Sequence, residues 1–386
     1  MKRKADGWLE QRFPWRQAWQ RHMVQYVVPK NLNLWYVFGL LALLTLVNQL
    51  LSGFWLLFFY TPTVTGAFDS LQAIMRDVPF GWLARYMHST GASIFFVVIY
   101  LHLFRGLLYG SYQAPRELVW LLGMALFMLL VMESCCGYLL PWGQLSYWAA
   151  QVMTSLLTVL PFGEAGMVWL RGDYRVSGVT LHRFFAMHVL GIPMVIVLCV
   201  LAHIKALRHV GSNNPSGLEL SVRDKIPFHP HYTFKEANSA LVFAIIFFAI
   251  VFFAPEMRGY FIDPQNNVPA NPLVTPEHLV PLWYMAPFFA MLRAIPNKLL
   301  GVLTMLGAFG VLGALPWLDK SSSRSMRSKS CFSRLMLLFF VLSFVALAIL
   351  GMQDETPARM WFARLAVCGY FAYPLLMPWY SRYERL

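Results

Sequence analysis

Apolar runs of roughly 17–23 residues, long enough to cross a bilayer core, recur at 34–54, 88–109, 118–140, 182–204, 238–254, 299–317, 335–351 and 362–379. The pattern predicts an all-α polytopic membrane protein with eight transmembrane helices. An even number of crossings puts both termini on one side.

Composition agrees. Of 386 residues, 58 % are hydrophobic, 16 % aromatic and only 13 % charged, far from a soluble globular domain. The first thirty residues carry Lys2, Arg3, Lys4, Arg12, Arg16, Arg21 and Lys30 with no apolar core before residue 34, unlike a cleaved signal peptide. The N-terminus is therefore expected in the cytoplasm. Under that topology roughly two-thirds of the 31 Lys and Arg fall on the cytoplasmic side, as the positive-inside rule requires. The formal net charge of +13 is then explained by topology and contact with the anionic lipid bilayer, with no nucleic-acid partner. Cys135, Cys136, Cys199, Cys331 and Cys368 lack C-x-x-C spacing, so they predict packing residues rather than a zinc site or a covalently attached haem.

Two outside connections, 141–181 and 255–298, are long and aromatic-rich, a property of functional loops more than of linkers. The basic, Ser-rich segment 318–334 reads as a plain cytoplasmic loop. No repeat of 20–50 residues is evident, but two runs share a feature that carries chemistry.

The second run holds His88 and His102; the fourth holds His188 and His203, with His182 at its mouth. Fourteen residues make close to four helical turns, so the first pair shares a face about 21 Å apart. Both runs cross in the same direction, so His88 can face His188 at one depth and His102 can face His203 at another. Two neutral imidazoles from facing helices are what an axially bis-histidine haem iron requires. The constellation predicts two non-covalent b-type haems stacked across the membrane, inside a bundle of the first four helices. One such histidine is as readily a hydrogen-bonded packing residue; four at matched depths favour ligation, because ionisable groups in a bilayer are costly.

Arg85 lies one turn outward of His88 and Arg105 one turn inward of His102, where each could pair with haem propionates; Arg105 serves equally as an interfacial anchor. Gly39 and Gly53 in the first run, and Gly123 and Gly137 in the third, repeat the spacing of fourteen at the two haem depths. A missing Cβ allows close approach to a porphyrin, although glycine also serves ordinary helix packing in membranes. Two other readings stand beside the haem protein. One is a non-haem transporter or proton channel whose His, Arg and Glu133 form an intramembrane relay. The other is a haem-bearing anchor subunit of a different quinone-linked dehydrogenase.

The motifs NLWYVFG, MRDVPFGWLARYMH, LYGSYQAPRE, GYLLPWGQLSYW, GSNNPSG, IPFHPHYTFKE and RAIPNK resemble those of cytochrome b, the haem-bearing core of the respiratory quinol:cytochrome c oxidoreductase. The likeness runs from about residue 12 to 380. It implies a protonmotive cycle in a bacterial inner membrane, with both termini cytoplasmic. Quinol is oxidised near the outer face, one electron leaves to a Rieske iron–sulfur protein, and the other crosses the two haems to reduce quinone near the inner face. A membrane-anchored c-type cytochrome and a homodimer of the complex are implied as well. So is a division into an arm (1–33), a four-helix di-haem domain (34–210) and a four-helix quinone-site domain (211–386) carrying the 255–298 loop.

By the same resemblance, the quinol pocket comprises Trp142, Gly143, Tyr147 and Ala149 with Pro281, Leu282, Trp283 and Tyr284. Leu282 stands where the family has a Glu thought to accept a quinol proton, and leucine cannot do this. Glu277, His278 and Asp263 lie in the same connection and are candidates for another proton path. Ala149 replaces a usual Gly, so weak binding of strobilurin-type quinol-site inhibitors is expected. The quinone pocket is expected from Arg208, His209, Ser212, Lys235 and Glu236, with Arg208 in place of a quinone-binding His. Val37 stands where photosynthetic relatives attach a third haem, so no third haem is implied.

Overall fold

A computed structural model of the chain describes residues 8–384; Lys2, Arg3 and Lys4 of the expected arm lie outside the described residues. In chain order the helices that build the site are α1 (Phe38–Leu57), α2 (Gly81–Leu108), α3 (Glu117–Leu139), α4 (Gln144–Ser155), α5 (Gly178–Val210), α6 (His231–Phe253), α7 (Ala286–Ala294), α8 (Lys298–Gly313), α9 (Cys331–Gly351) and α10 (Pro357–Tyr380).

Among the described residues seven helices are long and apolar enough to cross a membrane: α1, α2, α3, α5, α6, α9 and α10. The eighth expected span is α8, which is apolar but has 16 residues. At 1.5 Å per residue that is about 24 Å, short of a bilayer core. It stops at Ala314, before the single turn Leu315–Leu318, where Pro316 offers no N–H to the preceding helix.

Local chemistry sets several helix starts. Asn297, Ser330 and Thr356 each cap a helix by accepting a hydrogen bond from a backbone N–H three residues on, and Pro357 opens α10 where its missing N–H is harmless. Apolar side chains such as Phe54 on α1, Leu198 and Leu201 on α5, and Ile245 on α6 face outward, as a lipid-facing surface requires.

The main core joins both halves of the chain. Phe127 of α3 lies 6.2 Å from Phe288 of α7 and 5.5 Å from Phe309 of α8, Phe96 of α2 stacks on Tyr284 at 3.8 Å, and the Trp120 indole N–H donates to the Leu312 carbonyl at 2.8 Å. The two long outer connections are bonded to each other: Gln144 N donates to Val268 O at 2.9 Å and Ala270 N to Trp142 O at 3.0 Å. On the opposite side β1 (Val27–Pro29) pairs antiparallel with β2 (Lys225–Pro227), Val28 opposite Ile226, tying the N-terminal arm to the segment after α5.

The 318–334 segment is not the plain loop its composition suggests. Lys329 is 3 % exposed, and its ammonium stands 2.7 Å from Asp319 Oδ2. That carboxylate also accepts from Tyr112, Gln113 and Ser321. The pair is buried because its hydrogen-bonding capacity is met.

Candidate functional site

Helices α2 and α5 bring His88 and His188 to face one another, ring centroids 6.0 Å apart and planes at 89°. Both Nδ1 atoms are engaged from behind. His88 Nδ1 is 3.0 Å from Ser52 Oγ; His188 Nδ1 is 2.9 Å from Glu133 Oε1 and 3.1 Å from the Glu133 carbonyl. Partners on Nδ1 fix ring orientation and leave Nε2 for a metal. His188 sits in a π-helical turn, Met187–Gly191, within α5.

Each of the four glycines faces a different one of the four histidines. A Cβ on Gly53 would stand 3.0 Å from His88 Cε1, one on Gly39 3.4 Å from His102 Cε1, and one on Gly123 3.3 Å from His203 Cε1, while one on Gly137 would collide with the His188 ring. At Gly137 the absent Cβ makes room for the His188 imidazole, at Gly53 and Gly123 it spares a tight contact, and at Gly39 an added Cβ would stand at ordinary contact distance.

The outer pair lines a cavity of about 740 Å³, within the range of cofactor sites. Arg85, Gly53, Gly137, Glu133, Tyr138, Leu282 and Tyr284 share its wall. At the inner level His102 keeps a buried Nδ1 atom without a hydrogen-bond partner, as Arg105 does its Nε, and His203 is faced by the backbone of Val119. Arg105 otherwise donates through Nη1 to Ser111 Oγ at 2.9 Å and lies 4.7 Å over the Tyr36 ring. Ser111 in turn donates to Asn213 Oδ1 at 3.1 Å. Facing imidazoles at the outer level, and at the inner level two buried imidazoles beside an arginine with an unpaired Nε, fit a flat, anionic-edged, iron-bearing group.

Comparison with known proteins decides the family. The model described as Cytochrome b/b6/petB matches residues 23–211, and the one described as Cytochrome b(C-terminal)/b6/petD matches residues 269–371. The chain belongs to the cytochrome b family. It is 48 % identical to the cytochrome b of Allochromatium vinosum over 98 % of this chain and 95 % of that one, and 44 % identical to that of Rickettsia prowazekii over 99 % and 96 %. A solved structure titled Hyperthermophilic respiratory Complex III is similar with TM-score 0.93 and 38 % identity, covering 98 % of each chain. As a cytochrome b, the chain is a multi-span membrane protein of respiratory electron transport.

Around the cytochrome b outer cavity the expected quinol-site residues divide. Leu282 and Tyr284 line it, while Trp142, Gly143, Tyr147, Ala149, Pro281 and Trp283 are not among its lining residues. Trp142 takes a positive φ of 50° and packs edge-on against Tyr147 at 5.5 Å. Gly143 is required by contact, since a Cβ there would meet the Asn266 carbonyl oxygen at 2.7 Å. Tyr147 donates to Val176 O at 3.2 Å, Trp283 Nε1 to Ser93 Oγ at 3.2 Å, and Ala149 is buried. The three polar candidates for proton transfer do not share that wall. Asp263 accepts from Gln265 N at 2.8 Å, His278 lies on Asp354 at 2.8 Å, and neither they nor Glu277 line the cavity. Tyr138 lines the cavity and Ser52 orients His88, roles that no sequence reading assigned, and Glu133, singled out above only for a proton relay, lines it beside His188.

At the inner end Arg208 reaches the arm, its Nη1 3.3 Å from both His22 Nδ1 and the His22 carbonyl. Lys235 Nζ donates to Leu32 O at 2.7 Å. Glu236 and Ser212 are half-buried and His209 is exposed. The arm residues 22–32 thus belong to this region. Composition marked them only as basic.

Proposed function

We propose that the chain is the electron-transferring membrane subunit of a protonmotive quinol:cytochrome c oxidoreductase in a bacterial inner membrane, built from eight transmembrane helices with both termini cytoplasmic, the eighth crossing made by α8 together with the turn Leu315–Leu318 that follows it. His88 and His188 hold an outer b haem and His102 and His203 an inner one. Arg85 and Arg105 face the haem propionates, and Gly39, Gly53, Gly123 and Gly137 give the ligand rings and macrocycles their clearance. The observation that carries this reading is the one-to-one pairing of four glycines with four histidines at two depths. When bound, the haems supply one-electron steps between two depths of the membrane.

The chain's own residues bind quinol and quinone at opposite faces. Leu282 and Tyr284 form the apolar and aromatic wall against which a quinol ring lies, supported by Trp142, Gly143, Tyr147, Ala149, Pro281 and Trp283. Arg208, His209, Ser212, Lys235 and Glu236 offer cations, a hydroxyl and an acid for quinone near the inner face. The arm (1–33), a di-haem unit (34–210) and a quinone-site unit (211–386) divide the labour. A Rieske iron–sulfur protein takes one electron outside, a membrane-anchored c-type cytochrome receives it, and two copies of the complex pair.

The test is the reduced-minus-oxidised optical spectrum of the purified chain, with a pyridine haemochrome assay to count haem per polypeptide. Two b-type haems are expected, falling to one in His102→Ala. A folded, colourless protein would overturn the assignment and favour the proton-relay reading.

A further inference from the structure

The outer cavity contains one carboxylate for which the quinol chemistry gives no role. Glu133 lies on α3 one turn before Gly137, and its Oε1 is 2.9 Å from His188 Nδ1. Its own backbone carbonyl approaches the same nitrogen at 3.1 Å. Two acceptors from one residue therefore face one imidazole N–H.

The other three histidines lack such a partner. His88 Nδ1 meets the neutral hydroxyl of Ser52, the Nδ1 atom of His102 is buried without a hydrogen-bond partner, and His203 is faced by the backbone of Val119. Among the four, His188 alone has an acidic side chain behind it. Glu133 Oε2 is itself buried and unpartnered, so no second donor diverts the carboxylate from the imidazole.

A carboxylate that accepts the Nδ1 proton draws it away from the ring and makes Nε2 a more basic ligand. It also adds negative charge near the iron in a region of low dielectric, where Coulomb interactions are strong. Both effects favour the oxidised, more positive iron over the reduced one. Resting on the two-haem reading above, we propose that Glu133 is a positioning residue that orients His188 and lowers the reduction potential of the outer haem relative to the inner one. This side chain adds to the difference between the two ligand levels, and electrons run downhill from outer to inner.

The test is a redox titration of the purified two-haem protein, following the optical spectrum, in the parent and in Glu133→Gln. The amide keeps an acceptor for Nδ1–H and removes the charge. Expected is a tenfold shift of one haem toward the reduced state, which for one electron is 59 mV, with the second haem unmoved. Ser52→Asp supplies the reciprocal variant: a carboxylate behind His88 shifts the same haem toward the oxidised state. It also keeps the proposal open to refutation if Glu133→Gln does not accumulate. Two intact haems whose titration is the same in parent, Glu133→Gln and Ser52→Asp overturn the role of Glu133. Absence of haem from the folded parent overturns the ligand assignment instead.

Discussion

Single atoms decide much of the chemistry. Gly137 tolerates nothing larger than hydrogen, because a Cβ there collides with the His188 ring, whereas one on Gly39 would stop at ordinary contact, 3.4 Å from His102. Gly137→Ala is therefore expected to lose the outer haem and cost about 1–3 kcal/mol through overpacking. Gly39→Ala is expected to keep both haems; the pyridine haemochrome ratio checks each. Leu282 stands on the cavity wall, and by the resemblance to cytochrome b it takes the position of a Glu expected to accept a quinol proton. Leu282→Glu is expected to raise quinol turnover by about 10²-fold, the low end for a positioned base, with haem content unchanged. Turnover equal to the parent's shows that another group already takes the proton. Ala149→Gly is expected to tighten binding of a strobilurin-type inhibitor, read as its inhibition constant.

At the scale of elements, the spacing of ligands was legible but its geometry was not. His88 and His102 are fourteen residues apart on a continuous α-helix, while His188 and His203 are fifteen apart. On ideal helices the extra residue turns His203 by about 100° relative to its partner. The π-helical turn Met187–Gly191 absorbs it, Ile192 N donating to Met187 O across five residues. Deleting Leu190, which is 67 % exposed, is expected to convert that turn to α-helix and preserve both haems. Inserting one alanine between Ile196 and Cys199 is expected to rotate His203 out of place and lose the inner haem alone. Haem stoichiometry and the redox titration separate the two results.

For the whole molecule, the buried Asp319–Lys329 pair links the 318–334 segment to the turn after α2 through Tyr112 and Gln113. Burial by itself raises the Asp319 carboxyl, but the Lys329 ammonium and the Ser321 donors outweigh it and hold the group below the ordinary carboxylate range. The contribution to stability is present at neutral pH and is lost as pH falls through the folded-state value. Lys329→Met, which leaves the carboxylate buried and unpaired, is expected to cost about 3–5 kcal/mol, seen as a lower Tm in detergent. Asp319→Asn is expected to flatten the acid side of the Tm–pH profile.

Hydrophobic run length, charge asymmetry and histidine spacing are one-dimensional quantities. They therefore determined, without any structure, an α-helical membrane protein, and they singled out four histidines and four glycines at matched spacings. What faces what is not one-dimensional. That Glu133 stands behind His188, that Arg208 and Lys235 meet the N-terminal arm, and that Asp319 and Lys329 are buried together depended on helix rotation and on contacts between residues far apart in the chain. Tertiary packing alone sets these, because a charged or polar side chain enters a low-dielectric interior only where the surrounding chain supplies its partners.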